Sequence, residues 1–127
     1  MIQGRFSEIG ELFFEIDLIA TNEEILPVEA LLDTGFTTGW LALDIQDVEA
    51  LGWTLIERRR VMRTAQGETF FALYEGTVIL DGLSFTVPVH ARAGVAEVLL
   101  GLQWLRMQRL VVDFPKGVLT LELSPSP

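Results

Sequence analysis

The chain has 127 residues, half of them apolar, enough to take about two-thirds of its unfolded surface out of water on folding, which argues against disorder. Its formal charge of −9 excludes a nucleic-acid groove, which needs clustered Lys and Arg. The absence of cysteine excludes disulfides, thiolate metal sites and Cys nucleophiles together.

No run reaches the ~18 apolar residues of a membrane span. Residues 1–5 lack the basic and apolar regions of a signal peptide. The expectation is a cytoplasmic protein of one domain over residues 1–127, without membrane or nucleic-acid partners, with a core at about 12–123 and a Ser-Pro tail at 124–127 that frays.

Most of the chain reads as short strands separated by Gly, Asn and Asp signals. Residues 2–6 and 12–20 flank a turn at Gly10 and read as a first hairpin. A polar connection, Thr21-Asn22-Glu23-Glu24, leads to residues 28–32, a nearly all-apolar strand of the kind buried on both faces, which ends at Asp33-Thr34-Gly35. A carboxylate where a buried strand breaks into a Gly turn is a candidate catalytic group, although the tripeptide alone also suits an ordinary turn.

Beyond Gly39, Ile45, Val48 and Leu51 repeat at helical spacing between an N-cap at Asp44 and a C-cap at Gly52. Residues 55–64 and 69–80 are two long strands around Ala65-Gln66-Gly67-Glu68. Asp81-Gly82 then opens a tight hairpin into residues 83–89. Residues 97–100 form an apolar strand halted by Gly101. Leu102, Leu105 and Met107 suggest a short helix, and residues 110–114 and 118–123 a closing hairpin around Pro115-Lys116-Gly117. The predicted fold class is all-β, a closed barrel with one or two short helices.

Three elements recur together: the apolar run into Asp33-Thr34-Gly35, a Gly-tipped hairpin at 61–73, and Val98-Leu99-Leu100-Gly101 before a short helix and a last hairpin. Their order and spacing resemble the retropepsin-like aspartic proteases, particularly the small bacterial members. The resemblance covers about residues 12–123 and is specific at the two Gly motifs. It implies an acid-protease barrel in which Leu99, Leu100 and Gly101 pack against the active-site loop, with Gly101 small because a side chain there would collide with that loop.

The resemblance further implies that Asp33 supplies one carboxyl of a dyad. The motif occurs once, so the second carboxyl is the Asp33 of another copy, and the partner is a homodimer with contacts repeated across a two-fold axis. Paired carboxyls hold one proton between them, which suits them to activate a water against a peptide bond. Thr34 reaches across the axis with its hydroxyl, and Gly35 admits the substrate closely. Phe36 stands where the better-known members have Ala or Ser, and it cannot hydrogen-bond the Asp. The hairpin tip, Ala65, Gln66 and Gly67, is the flap over a peptide or protein substrate. Leu119 and Leu121 are candidates for the dimer contact. The alternative is a non-catalytic retropepsin-like dimerisation or peptide-binding module, and a further one an unrelated barrel with Asp33 in a surface turn.

Other features carry less. His90 is the sole histidine and has neither the spacing of a zinc site nor a nucleophile elbow to serve, so it reads as structural, and no metal or cofactor is expected. Residues 35–39 fail as a phosphate loop because Trp40-Leu41 follows the second Gly. Arg58-Arg59-Arg60 and Arg63 read as a solvated strand face, or as partners for acidic residues across a dimer contact. Trp40, Trp53 and Trp104 read as core or interface anchors.

Overall fold

A computed structural model describes residues 1–64 and 67–123. The Ser-Pro tail at 124–127 and Ala65 and Gln66, expected at the flap tip, lie outside the described residues. In chain order come β1 (Ile2–Gln3), β2 (Arg5–Phe6), β3 (Leu12–Ile19), β4 (Ile25–Leu32), β5 (Leu41–Asp44), the helix α1 (Ile45–Leu51), β6 (Thr54–Thr64), β7 (Gly67–Leu80), β8 (Leu83–Arg92), β9 (Val98–Leu100), a 3₁₀ helix (Leu102–Arg106), β10 (Gln108–Asp113) and β11 (Val118–Leu123).

Six strands close on themselves in the order β3-β4-β9-β5-β8-β7, because β3 pairs with β4 on one side and with β7 on the other. β6 hangs from the outer part of β7, and a separate sheet runs β1-β11-β10. The fold is therefore an all-β closed barrel with short helices. Among the described residues, no helix is long and apolar enough to cross a membrane.

Local chemistry sets the joints. The Asp44 carboxylate accepts the Gln46 amide at the start of α1, and Gly52, at φ 75°, ends the helix in the left-handed conformation. Thr21 in the polar connection then caps that end, its amide and hydroxyl both donating to the Leu51 carbonyl. At the β7–β8 turn Asp81 and Gly82 both take positive φ, the mirror-image turn that matches strand twist. The core fills around Trp104, Phe14, Leu18 and Leu41. Trp104 meets Trp40 and Phe85 edge-on, at 5.0 and 5.2 Å between ring centres.

Four expectations are corrected. Residues 2–6 do not form one strand: β1 pairs with β11 and only β2 pairs with β3. The chain changes sheets at Gly4, where an added Cβ would come within 2.6 Å of Leu119 and 2.7 Å of the Phe13 carbonyl. The strand before Asp33 starts earlier, at Ile25, and alternates, burying Ala30 and Leu32 while its first half is exposed. β8 continues past residue 89 to Arg92, because β5 pairs alongside it as far as Asp44↔Arg92. Leu119 and Leu121, proposed for a contact between chains, lie 2% and 0% exposed within this chain's own core; they face inward from the middle strand of their sheet.

Candidate active site

The short strand β9 positions the site. It runs parallel to β4, with Leu31 beside Leu99 and Leu32 beside Leu100, and antiparallel to β5, with Leu41 beside Leu100. Inserted between the strands that enter and leave the 33–40 loop, it supports that loop from below. The Asp33 amide donates to the Leu100 carbonyl at 2.9 Å, the Gly101 amide to the Trp40 carbonyl at 2.9 Å, and the Leu102 amide to the Phe36 carbonyl at 3.0 Å. Gln103 closes the underside through its side-chain amide, which donates to the Thr37 carbonyl at 2.6 Å, and the Trp104 indole donates to the Trp40 carbonyl at 2.6 Å.

Two glycines make this stacking possible. A Cβ on Gly101 would collide with the Gly39 carbonyl group, and one on Gly39 would run into the Phe36 ring. Phe36 is buried, 7% exposed. Its ring fills the space inside the loop and meets the His90 ring edge-on at 5.0 Å. The position that lacks a hydroxyl thus serves as the loop's internal packing.

Asp33 itself is half-buried at the end of β4, whereas Thr34 and Gly35 are exposed. One Asp33 carboxylate oxygen accepts the Gly35 amide at 2.9 Å, and no other hydrogen bond reaches the carboxylate among the described residues. The carboxylate faces a cleft of about 720 Å³, the size of a small-ligand or peptide-side-chain site. The loop contributes Asp33, Gly35 and Phe36 to its wall, and the barrel contributes Ala42 and Leu99.

The β6–β7 hairpin contributes Met62, Arg63 and Phe71 to the same lining. Its register pairs Thr64 with Gly67, and Gly67 takes φ +113°, which L side chains avoid. Of the three residues expected from the sequence to form a flap, Gly67 is described, at the end of the β6–β7 hairpin.

His90 lies on β8 behind the loop, 5% exposed, with Nδ1 buried and without a hydrogen-bond partner among the described residues. Phe36 and Phe71 both contact its ring edge-on. Burial, and secondarily the nearby Arg60 charge, lower its pKa to about 4. The arginines divide: Arg60 pairs with Glu57 at 2.7 Å, Arg59 lies 3.7 Å over the Phe70 ring, and Arg63 turns to the cleft.

The sequence reading missed the part of the cleft lining formed by Arg92 and residues 94–97. Ending β8 at residue 89 hid it; the strand extends because β7 pairs with it as far as Ala91 and β5 as far as Arg92. Among the described residues no group of three His, Cys, Asp or Glu could hold a metal ion.

No protein-family model matches the sequence, and no curated protein matches it. Solved structures do. A crystal structure of a retropepsin-like aspartic protease from Rickettsia conorii superposes with a TM-score of 0.59 at 22% identity, over 96% of this chain and 88% of that one. EIAV protease in complex with an inhibitor superposes with a TM-score of 0.57 at 16% identity, over 80% of this chain and 90% of that one. At such identities the likeness is one of fold, and it agrees with the barrel, the inserted β9 and the loop above it: the chain has the retropepsin-like fold, and its structural neighbours are aspartic proteases.

Proposed function

We propose that the chain is a homodimeric aspartic endopeptidase in which Asp33 of each copy supplies half of the catalytic pair. The observation that carries this reading is the position of Asp33: in the lining of a cleft of about 720 Å³ that it shares with Met62, Arg63 and Phe71 of the β6–β7 hairpin, on a loop braced by Leu100 and Gly101. One motif per chain makes a second copy necessary to complete the pair.

In the proposed reaction the ionised carboxyl takes a proton from a bound water, whose oxygen attacks the peptide carbonyl. The protonated carboxyl gives its proton to the developing oxyanion. The tetrahedral intermediate then collapses: the C–N bond breaks, the nitrogen takes up a proton, and an acid and an amine leave. The Gly35 amide, 2.9 Å from one Asp33 oxygen, orients the carboxylate for this role. The β6–β7 hairpin covers the bound peptide and keeps bulk water out.

One observation favours a second reading, a peptide-binding module without turnover: the buried Phe36 ring offers Asp33 no side-chain hydrogen bond. Asp33→Asn and Asp33→Ala separate the two. Cleavage of a quenched-fluorescence peptide library by the unaltered chain, lost by at least about a hundredfold in either variant while sedimentation still shows a dimer, supports the peptidase. Full cleavage by Asp33→Asn overturns it, and binding without cleavage by the unaltered chain favours the module.

A further inference from the structure

The cleft carries a charge pattern that the peptidase chemistry does not use. Acidic residues outnumber basic ones 18 to 9 in the whole chain, yet Arg63, from β6, and Arg92, from the end of β8, both line this cleft. Neither forms an ion pair among the described residues, although carboxylates are close in the fold. Glu68 lies opposite Arg63 in the hairpin register, and Asp44 lies beside Arg92 in the β5–β8 register.

The Asp44 carboxylate is already engaged. One oxygen caps α1 through the Gln46 amide at 2.9 Å, and the other accepts the Gly94 amide at 3.0 Å. Among the described residues Arg92 forms no ion pair with Asp44, its neighbour in the β5–β8 register. Its Nε makes only a long 3.4 Å contact to the Ala93 carbonyl, and its guanidinium stands 5.6 Å from the centre of the Phe71 ring, which also lines the cleft. An aromatic ring beside a guanidinium limits where it can go and leaves its N–H groups available to a planar oxyanion. Glu97 also lines the cleft, and no ion pair joins it to either arginine among the described residues.

We propose that this cleft selects peptides bearing a carboxylate side chain, Asp or Glu, near the bond presented to Asp33, with Arg92 as the principal recognition residue and Arg63 closing on it from the hairpin. The proposal builds on the peptidase reading and specifies its substrate class. A guanidinium that forms a paired hydrogen bond to a carboxylate cannot make the same contact to a carboxamide. A Glu-to-Gln change in the peptide therefore isolates the interaction with little change of shape.

The test uses binding, so it does not depend on turnover. Asp33→Asn chain is titrated with fluorescent octapeptides of one apolar sequence, carrying Glu, Gln or Lys in turn at each position around the centre. At one or more positions the Glu peptide should bind about tenfold or more tighter than its Gln twin, with Lys weakest. Adding Arg92→Gln should abolish that difference, Arg63→Gln should reduce it, and Lys116→Gln, in the β10–β11 turn, should leave it intact. Arg92→Lys supplies the same comparison, with part of the preference kept, where Arg92→Gln does not fold. Equal binding of Glu and Gln peptides, a preference that survives both arginine changes, or no peptide binding at all would overturn the proposal. Cleavage by the unaltered chain without any preference for acid would leave the peptidase reading standing and remove this one.

Discussion

Gly101 lies so close against the carbonyl group of Gly39 that no Cβ fits between them. This contact joins the two halves of the site, the loop that carries Asp33 and the end of β9 that supports it. Gly101→Ala must push the loop outward. We expect a loss of about 1–3 kcal/mol in urea unfolding and a fall in peptide cleavage larger than the stability loss alone would produce. Unchanged melting and cleavage would show that the loop yields without consequence.

Phe36 supplies the packing inside the loop that carries Asp33. Phe36→Ser, which brings in a hydroxyl, should cost about 3 kcal/mol or more, because it empties the space beneath Gly39 and beside His90. Phe36→Leu should cost under about 1.5 kcal/mol. Chemical denaturation of the two variants orders them. A Phe36→Ser chain as stable as the parent would mean the ring does not hold the loop.

His90 makes the fold sensitive to acid. Its folded pKa is about 4 against an ordinary 6.5, lowered first by burial. As pH falls below 6.5 the unfolded chain takes up a proton that the folded chain refuses until about 4. Stability from this residue is therefore fully present above 6.5 and declines across that window, by at most about 3 kcal/mol. His90→Leu should flatten the decline in melts at pH 4 to 7, even if its stability at neutral pH also changes. Parallel pH profiles of the two proteins would contradict the assignment.

The proposed dyad makes its own demand on pH. Shared-proton catalysis needs one carboxyl ionised and one protonated, so the rate should pass through a maximum at acid to neutral pH and fall on either side. His90 adds to the acid limb by weakening the fold. A cleavage rate still climbing at about pH 9 would rule out the shared proton.

The sequence made visible what short-range chemistry controls. Asp44 and Gly52 bound the helix, Asp81 and Gly82 turn the hairpin, and residues 110–123 close the chain as two paired strands. Asp33 and the 99–101 segment, far apart in the chain, carried a recognisable order and proved to touch. What the sequence did not reveal depends on neighbours from elsewhere in the chain. Gly4 gave no sign that it separates two sheets, since that follows from Leu119 and Phe13 packing against it. Arg92 seemed to lie beyond its strand until β5 paired alongside, and the ring of Phe36 turned inward because Gly39 and Gly101 leave room for it.

β11 has a strand on each side, β1 and β10, both from its own chain. A second copy therefore has no slot to fill beside β11; in this sheet it meets only the outer edges of β1 and β10, which form within one chain. Assembly is then separable from folding. Diluting the proposed dimer should yield intact, inactive single copies with unchanged circular dichroism, while specific activity falls with concentration. Supply of the chain would thus set the onset of cleavage, with newly made copies remaining folded and silent until enough accumulate to meet.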